Sequence, residues 1–286
     1  MLTDEIYFEI IKKKILESTG LDCDSYKDDF LERRIKLRLA AHGINSYKEY
    51  LPILQDDSKE YISLMDTISV DVSRFFRDRD VFDTLKNKIL PEIIDKKKNM
   101  KHKVITVWSA GCDTGEEPYS IAILLNELLG IEINNYFIQI YATDISTERI
   151  TRAKNALYSA TKFQDMDPSY VNKYFQYSEG LFKLKEHIKK LVRFEIQDLI
   201  SNSGYQFLDL IICRNVLIYL LQEVQEKILI NFYKNLNEGG YLMLGKSETL
   251  IGKSRDYFMY LKEADRIYKK TNLIQATTGA SPHILH

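Results

Sequence analysis

The spacing of apolar residues divides the chain into two parts. From Leu2 to about Met65, apolar residues recur three or four positions apart, and glycine, asparagine and proline interrupt them at intervals. This pattern predicts a run of short amphipathic helices. From Lys103 onward, short β-rich runs alternate with helical ones, which is typical of a doubly wound parallel sheet. We therefore expect a small all-α domain followed by an α/β domain.

The elements of the second part can be assigned individually. The predicted strands are VITVWSA, YFIQIYATD, FLDLIIC and GGYLMLG. Helices are predicted after Gly115, after Ser146 and from Leu221 to Asn237, and ADRIYKK is predicted to add an edge strand. Between about Asp167 and Phe194 the alternation fails. The runs GLFKLKE and KKLVRFE there predict a small antiparallel insertion.

These patterns predict four segments. The ranges are 1–68 for the helical domain, 69–102 for an interdomain loop and linker helix, 103–274 for the α/β domain with its antiparallel subdomain at about 167–195, and 275–286 for a flexible tail.

Composition excludes several classes of partner. The 286 residues include 40 Lys and Arg against 41 Asp and Glu, so no overall charge favours nucleic acid or an anionic membrane. No apolar run approaches the roughly 18 residues of a membrane span, and the N-terminus lacks the order of a signal peptide. We therefore expect a cytoplasmic protein without membrane insertion. The three cysteines are far apart without a CxxC, which predicts reduced thiols and no metal site.

The segment VWSAGCDTGEEPYS joins a strand, a small-residue turn and the start of a helix. Small residues allow backbone amides to approach a ligand closely. The next strand ends in YATDIS, so Asp144 is predicted at the carboxyl edge of the sheet, where a carboxylate accepts hydrogen bonds from a ribose. The turn together with Asp144 therefore predicts a site for a nucleoside ligand. The alternative is that Gly111 and Gly115 only make a tight turn.

The acidic residues of this turn indicate which kind of nucleoside the site would bind. The turn differs from GxGxxG and carries Asp113, Glu116 and Glu117, where the pyrophosphate of a dinucleotide would need donors. This favours a cationic nucleoside, S-adenosylmethionine, over NAD.

A second polar group follows the strand FLDLIIC, in the segment CRNVLIY. Arg214 and Asn215 should lie at the same sheet edge as Asp144, with Tyr219 nearby, so that they converge on one crevice. Taken singly, Arg214 is equally explained as a surface ion-pair partner, Asn215 as a helix cap and Tyr219 as a packed aromatic.

The chain resembles the CheR family of chemotaxis receptor methyltransferases in several spaced motifs. They are SVDVSRFFRD (69–78), SAGCDTGEEPYS (109–120), ATDIS (142–146), CRNVLIY (213–219) and GKSETL (245–250), in the family's order. The likeness includes LERRIKLRL and covers nearly all of the chain except its tail. It implies a small helical domain before a Rossmann-like S-adenosylmethionine-dependent methyltransferase domain with an antiparallel subdomain.

The resemblance also implies site residues. The expected cofactor contacts are Asp71, Ser73, Arg77, Glu117, Asp144, Asp198, Leu199, Arg214 and Asn215. Three of these positions depart from the family's usual residues: Asp71 replaces Asn, Ser73 replaces Thr and Asp198 replaces Asn. Ser73 keeps a hydroxyl and Asp198 still accepts hydrogen bonds. Asp71 instead removes an amide donor and adds a negative charge.

The family's reaction gives glutamate methyl esters and S-adenosylhomocysteine. Glutamate, with an ordinary pKa of about 4.3, is already ionised at neutral pH, so no general base is required. Catalysis then depends on positioning and exclusion of water. Arg77 and Tyr219 are the expected catalytic residues, with Arg77 orienting the acceptor carboxylate. The alternative is that Arg77 pairs with Asp78 or Asp80.

The partners implied by the resemblance are the cytoplasmic domains of methyl-accepting chemotaxis receptors. Arg33 with Lys36, and Arg34 with Arg38, share helix faces that would dock acidic receptor helices, or are simply solvated. The β insertion resembles the subdomain that some members use to grip a receptor's C-terminal tether. A monomer is expected. The competing functions are a methyltransferase with another acceptor and a catalytically silent S-adenosylmethionine sensor.

Overall fold

Four helices form the N-terminal domain in a computed structural model that describes residues 3–69, 73–200, 204–262 and 265–271. They are α1 (Asp4–Thr19), α2 (Asp28–Ala41), α3 (Tyr47–Asp56) and α4 (Ser58–Ile68). Ser46 and Asp57 cap α3 and α4 by accepting hydrogen bonds from the backbone amides of Glu49 and Lys59. The predicted all-α domain is confirmed.

A buried carboxylate joins α2 to α4. Glu60 accepts hydrogen bonds from Arg38 at 2.8 and 2.7 Å, lies 2.6 Å from the hydroxyl of Tyr50, and pairs with His42 at 3.0 Å. Burial acts to raise the pKa of Glu60, but these hydrogen bonds outweigh it and lower the pKa to about 2. Arg38 therefore points into the domain rather than sharing an outer docking face with Arg34.

A helical linker leads from this domain to the sheet. It begins with α5 (Arg79–Thr84), continues through a wider π-helical turn at Leu85–Ile89, and ends as α6 (Leu90–Lys98). Leu85, Ile89 and Leu90 are buried in the main apolar core. The linker is thus packed along the α/β domain.

The α/β domain is built on a seven-stranded sheet with the order β6-β2-β1-β7-β8-β10-β9. Its strands are β1 (Val104–Ala110), β2 (Phe137–Asp144), β6 (Val192–Ile196), β7 (Leu208–Cys213), β8 (Leu236–Leu244), β9 (Phe258–Lys262) and β10 (Ile267–Lys270). The first five strands of that order pair in parallel, and β10 pairs antiparallel to both β8 and β9.

Helices cover both faces of this sheet. The larger ones are α7 (Glu116–Leu129), α8 (Thr147–Asn155) and α11 (Gln222–Asn235). Ile105 and Val107 of β1 belong to one apolar cluster, and Trp108 and Ala110 belong to the other. Burial on both faces explains why the central strands are mostly apolar in sequence rather than strictly alternating.

The small antiparallel sheet is formed by different strands from those predicted. It consists of β3 (Leu157–Tyr158), β4 (Phe175–Ser178) and β5 (Leu181–Leu184), in the order β3-β5-β4. The segment GLFKLKE supplies β5 as expected. KKLVRFE supplies β6 instead, which joins the main sheet in parallel with β2. Two short helices, α9 (Pro168–Tyr174) and α10 (Glu186–Lys189), flank the hairpin.

Two further outcomes concern the end of the chain. ADRIYKK does form a strand, β10, but that strand lies between β8 and β9, so the prediction of an edge strand is wrong. The tail predicted at 275–286 lies outside the described residues, as does Asp71.

The three cysteines are buried and unpaired with one another. Within the described ranges, every helix is too short or too polar to span a bilayer.

Candidate active site

A cleft lies between the N-terminal domain and the carboxyl edge of the parallel strands. It encloses about 1100 Å³, counted with its solvent-open mouth. The sequence-predicted site residues found in its wall are Ser73, Arg77, Glu117, Asp144, Asp198, Leu199, Arg214, Asn215 and Tyr219. The remaining one, Asp71, belongs to the part of the linker that is not described. The fold thus brings together side chains that are up to 146 positions apart in sequence, from Ser73 to Tyr219.

The turn after β1 is tightly packed against its neighbours. Gly111 has φ 77°, and a Cβ there would lie 2.4 Å from a methyl group of Val216. Gly115 has φ 92°, and its Cβ would lie 3.0 Å from that of Ala153. The carbonyl of Thr143 accepts hydrogen bonds from the amides of residues 111 and 112. The glycines therefore make a tight turn and also hold it against the end of β2.

Asp144 is buried at the end of β2. One of its carboxylate oxygens accepts the backbone amide of Asp113 at 2.9 Å, and the other accepts that of Ser146 at 3.0 Å. Burial raises the pKa of Asp144, although these donors and the charge of Arg149 oppose the shift. Each oxygen retains a lone pair, so the side chain can also accept hydroxyl groups from a ligand.

Glu117 is the second acid of the cleft. Its carboxylate accepts a hydrogen bond from the hydroxyl of Ser109 at 2.8 Å and lies 3.7 Å from the guanidinium of Arg214. Burial raises the pKa of Glu117, and the charge of Arg214 opposes the shift. A positively charged ligand in the cleft would favour the ionised form of both Glu117 and Asp144.

Arg77 projects from the linker into this cleft, and the acids next to it have other partners. Arg214 donates to the carboxylate of Asp78 and, at 3.1 Å, to the backbone carbonyl of Arg77. Lys246 lies 2.7 Å from the carboxylate of Asp80. Within the described part of the chain, Arg77 forms no ion pair, which contradicts the alternative that it pairs with Asp78 or Asp80.

The turn that carries Asn215 is organised by a residue to which the sequence analysis gave no role. Asn215 has φ 61°. Glu248, from the segment GKSETL, accepts four backbone amides: those of Asn215 and Gly245 at 2.9 and 2.6 Å, and those of Val216 and Leu217 at 2.9 and 2.8 Å. An acid within a short polar motif after a buried strand was the available signal.

Arg149 was also missed. Its guanidinium, 4% exposed, donates to the carboxylate of Asp113 and to the backbone carbonyls of Asp66 and Ser69. It therefore holds the end of α4 and the start of the linker against the turn after β1. The available signal was an arginine on the apolar face of α8, beside Ile150.

The N-terminal domain contributes directly to the cleft. Tyr26 and Phe30 lie in its wall together with Tyr219 and Leu199. Asp198, nearby, accepts the backbone amide of Ile200 at 3.0 Å, and burial raises its pKa. The sequence analysis gave Phe30 no role, because apolar spacing within a helix does not indicate a contact with another domain.

Taken together, the cleft suits a ligand with hydroxyl groups, a positive charge and an apolar ring. Asp144, Asp198 and Glu117 supply acceptors, and Tyr26 and Leu199 supply apolar surface. Among the described residues, no cluster of His, Cys, Asp and Glu has the composition of a metal site.

Comparison with known proteins gives matches over most of the chain. Residues 6–69 match the model of the CheR methyltransferase all-alpha domain, and residues 71–267 match that of the CheR methyltransferase SAM binding domain. The chain is 34% identical to a chemotaxis protein methyltransferase of Borreliella burgdorferi, covering 86% of this chain and 89% of that one. A chemotaxis protein methyltransferase of Listeria innocua is 30% identical, with 91% and 97% covered.

Among solved structures, that of DszA carbon methyltransferase is similar at a TM-score of 0.38 and 18% sequence identity. The alignment covers 59% of this chain and 36% of the DszA chain.

Proposed function

The chain belongs to the CheR methyltransferase family, and we propose that it transfers a methyl group from S-adenosylmethionine to glutamate side chains of chemotaxis receptors. The products are glutamate methyl esters and S-adenosylhomocysteine. The observation that carries this proposal is Arg77, which lies in the cleft wall without an ion pair among the described residues, while Arg214 and Lys246 engage the neighbouring acids.

The cofactor fits the side chains available in the cleft. Asp144 would accept the ribose hydroxyls, and Asp198 with Leu199 would contact the adenine. Glu117 is suited to the positive charge of the methionine part, because its carboxylate is held by Ser109 and only partly neutralised by Arg214 at 3.7 Å. Ser73 and Asn215 would complete the contacts.

When bound, the cofactor supplies a methyl group on a sulfonium centre to a carboxylate that is already ionised at neutral pH. The protein's task is then alignment. The planar fork of Arg77 is suited to hold the two oxygens of a glutamate carboxylate, and the hydroxyl of Tyr219 is suited to contact it from the other wall. The apolar surface of Tyr26 and Leu199 in the cleft wall would help to exclude water.

The receptor-facing surface is proposed to be α2. Arg33 and Lys36 are exposed on this helix, and the half-exposed Leu37 lies beside them. Basic side chains around an apolar one suit an acidic amphipathic helix of a receptor. A cytoplasmic monomer without a metal cofactor is the form in which we propose that the protein acts.

Incubation with methyl-labelled cofactor and receptor-bearing membranes tests the reaction. Carboxyl methyl esters release methanol in alkali, whereas methylated amines do not, so base-labile methanol is the expected product. Base-stable label would indicate a methyltransferase with another acceptor. Cofactor binding without any transfer would indicate a silent sensor.

Variants of Arg77 test its assignment. Arg77→Ala should slow methyl transfer about a hundredfold or more, since misplacement of reacting groups by about 1 Å costs that much. Arg77→Lys should restore little, because it keeps the charge and loses the fork. Arg79→Ala is the matched control, since Arg79 is exposed two positions away and outside this cleft. Wild-type methylation by Arg77→Ala, with normal cofactor binding and melting temperature, would contradict the assignment.

A further inference from the structure

The ring of Tyr219 packs against the other domain. Tyr219 belongs to the single turn Leu217–Tyr219 after β7, yet it is half-buried against the apolar cluster of the N-terminal helices. The ring of Phe30, in the first turns of α2, stacks on it with the centroids 4.3 Å apart and the planes 25° apart. A ring proposed to contact the substrate is thus held by a residue outside the catalytic domain.

Backbone contacts fix the position of this turn but leave its side chain free to rotate. The backbone amide of Lys27 donates a hydrogen bond to the carbonyl oxygen of Tyr219 at 3.0 Å. The backbone amide of Leu221 donates one to the carbonyl oxygen of Ser25, also at 3.0 Å. Tyr26 and Leu220 form an isolated antiparallel bridge. These bonds hold the main chain of the turn beside α2. The direction of the Tyr219 hydroxyl depends on the side-chain torsions, which the stacked ring of Phe30 restricts.

Phe30 is also in contact with the proposed docking helix face. The guanidinium groups of Arg34 and Arg33 lie 5.4 and 6.0 Å from the centroid of its ring. Phe30 itself is 4% exposed. It therefore lies between the basic side chains of α2 and Tyr219.

We propose that Phe30 is a positioning residue for methyl transfer, which aims the Tyr219 hydroxyl into the cleft through ring stacking across the domain boundary. The inference rests on the proposed function, because it assigns Tyr219 a contact with the acceptor carboxylate. Phe30 makes the N-terminal domain part of the catalytic geometry, in addition to any docking role of that domain. It needs no contact with the reacting atoms.

The competing explanation is that Phe30 is an ordinary core residue, and a matched variant separates the two. Phe30→Leu keeps an apolar side chain and removes the stacked ring. Phe8→Leu makes the same change at an aromatic residue of the same core, 6% exposed, whose ring pairs with Tyr47 at 5.4 Å. Both variants lose core packing in one domain, but only Phe30→Leu frees Tyr219.

Steady-state methylation of receptor membranes by the full chain is the first measurement. Phe30→Leu should lower kcat by roughly tenfold to a hundredfold. Its receptor KM and its affinity for S-adenosylhomocysteine should stay within about twofold, which is the pattern of an interaction made only in the transition state. Phe30→Tyr, which retains the ring, should restore most of the rate. Phe8→Leu should keep the wild-type kcat.

A double variant tests whether Phe30 acts through Tyr219. In Tyr219→Phe the hydroxyl is already absent, so adding Phe30→Leu should lower kcat little further. Losses that multiply, or a loss in Phe30→Leu no greater than in Phe8→Leu, would overturn the proposal.

A measurement independent of activity separates this inference from the proposed function. In protein labelled with 3-fluorotyrosine, the Tyr219 resonance is assigned by its loss in Tyr219→Phe. It should shift in Phe30→Leu and stay in place in Phe8→Leu. If the wild type forms no base-labile methyl ester on receptors, the proposed function fails, whereas an unshifted Tyr219 resonance in Phe30→Leu would refute the positioning role on its own.

Discussion

Replacing Glu248 by glutamine tests how the cleft depends on a buried carboxylate that is not itself part of the cleft's wall but binds the backbone of wall residues. Each oxygen of Glu248 accepts two backbone amides, one pair from Asn215 and Gly245 and the other from Val216 and Leu217. Glutamine has nearly the same shape but keeps only one acceptor oxygen. In either orientation of its amide group, two backbone amides face an NH₂ group that cannot accept.

The size of the effect follows from those two donors. A buried donor left without an acceptor costs about 1–3 kcal/mol, so two cost about 2–6 kcal/mol. Burial raises the pKa of Glu248, which means that discharging the side chain relieves part of this cost. We therefore expect a loss of about 2–4 kcal/mol. For a chain of this size, that corresponds to a fall in melting temperature of roughly 3–7 °C.

Calorimetric titration with S-adenosylhomocysteine is the functional assay. Because the strained turn carries Arg214 and Asn215, the affinity of Glu248→Gln should fall about tenfold or more, a change of about 1.4 kcal/mol. Glu226→Gln is the matched control, since the carboxylate of Glu226 accepts one amide, that of Lys253, at 2.7 Å. If Glu248→Gln loses neither stability nor affinity beyond the control, the amides of this turn do not depend on the carboxylate and the reasoning is wrong.

Three other predictions concern the acids of the site. Asp144→Ala should weaken S-adenosylhomocysteine binding by about 1–3 kcal/mol, the cost of unpaired ribose hydroxyls; unchanged calorimetric affinity would remove Asp144 from the site. Burial raises the pKa of Asp144 and of Glu117 above their ordinary values of 3.8 and 4.5, and the cationic cofactor favours their ionised forms. Its affinity should therefore rise with pH through these raised pKa values and be lost below them, so a flat calorimetric profile would contradict the assignment. If Asp71 faces the reacting centre, Asp71→Asn should preserve or raise methyl-transfer turnover, because it would remove repulsion toward an acidic substrate; lost activity would mean that the charge is used.

The part of the cleft formed by the carboxyl edge of the sheet was predictable, because the spacing of apolar and polar residues is clear there. The strands β1, β2 and β7 are mostly apolar, and each is followed at once by polar or small residues. Parallel strands end at a common edge, so Asp144 and Arg214 could be placed in one crevice from the sequence alone. The roles of Arg77 and Tyr219 came from resemblance to a family and stay predictions.

Strand partners were less predictable than strands. KKLVRFE has the pattern of a β-strand, and its position after GLFKLKE suggested a hairpin. It pairs instead with β2, where Ile140 lies opposite Val192. ADRIYKK was expected at an edge because the strand Phe258–Lys262 that covers it was not recognised. Pattern indicates which side chains face the core, but the choice of hydrogen-bonding neighbour depends on which backbone edge is left open nearby.

The sequence by itself determined the two-part organisation, the helices and central strands, and the acids and bases at the strand ends, because these depend on spacing along the chain. Only the tertiary structure decided that Phe30 stacks on Tyr219, that Arg149 holds the linker against the turn after β1, and that Glu248 supports the turn after β7. Each of these contacts joins segments far apart in sequence. Its strength comes from the exclusion of water around a ring or a charge, a condition that the assembled fold creates and no local pattern encodes.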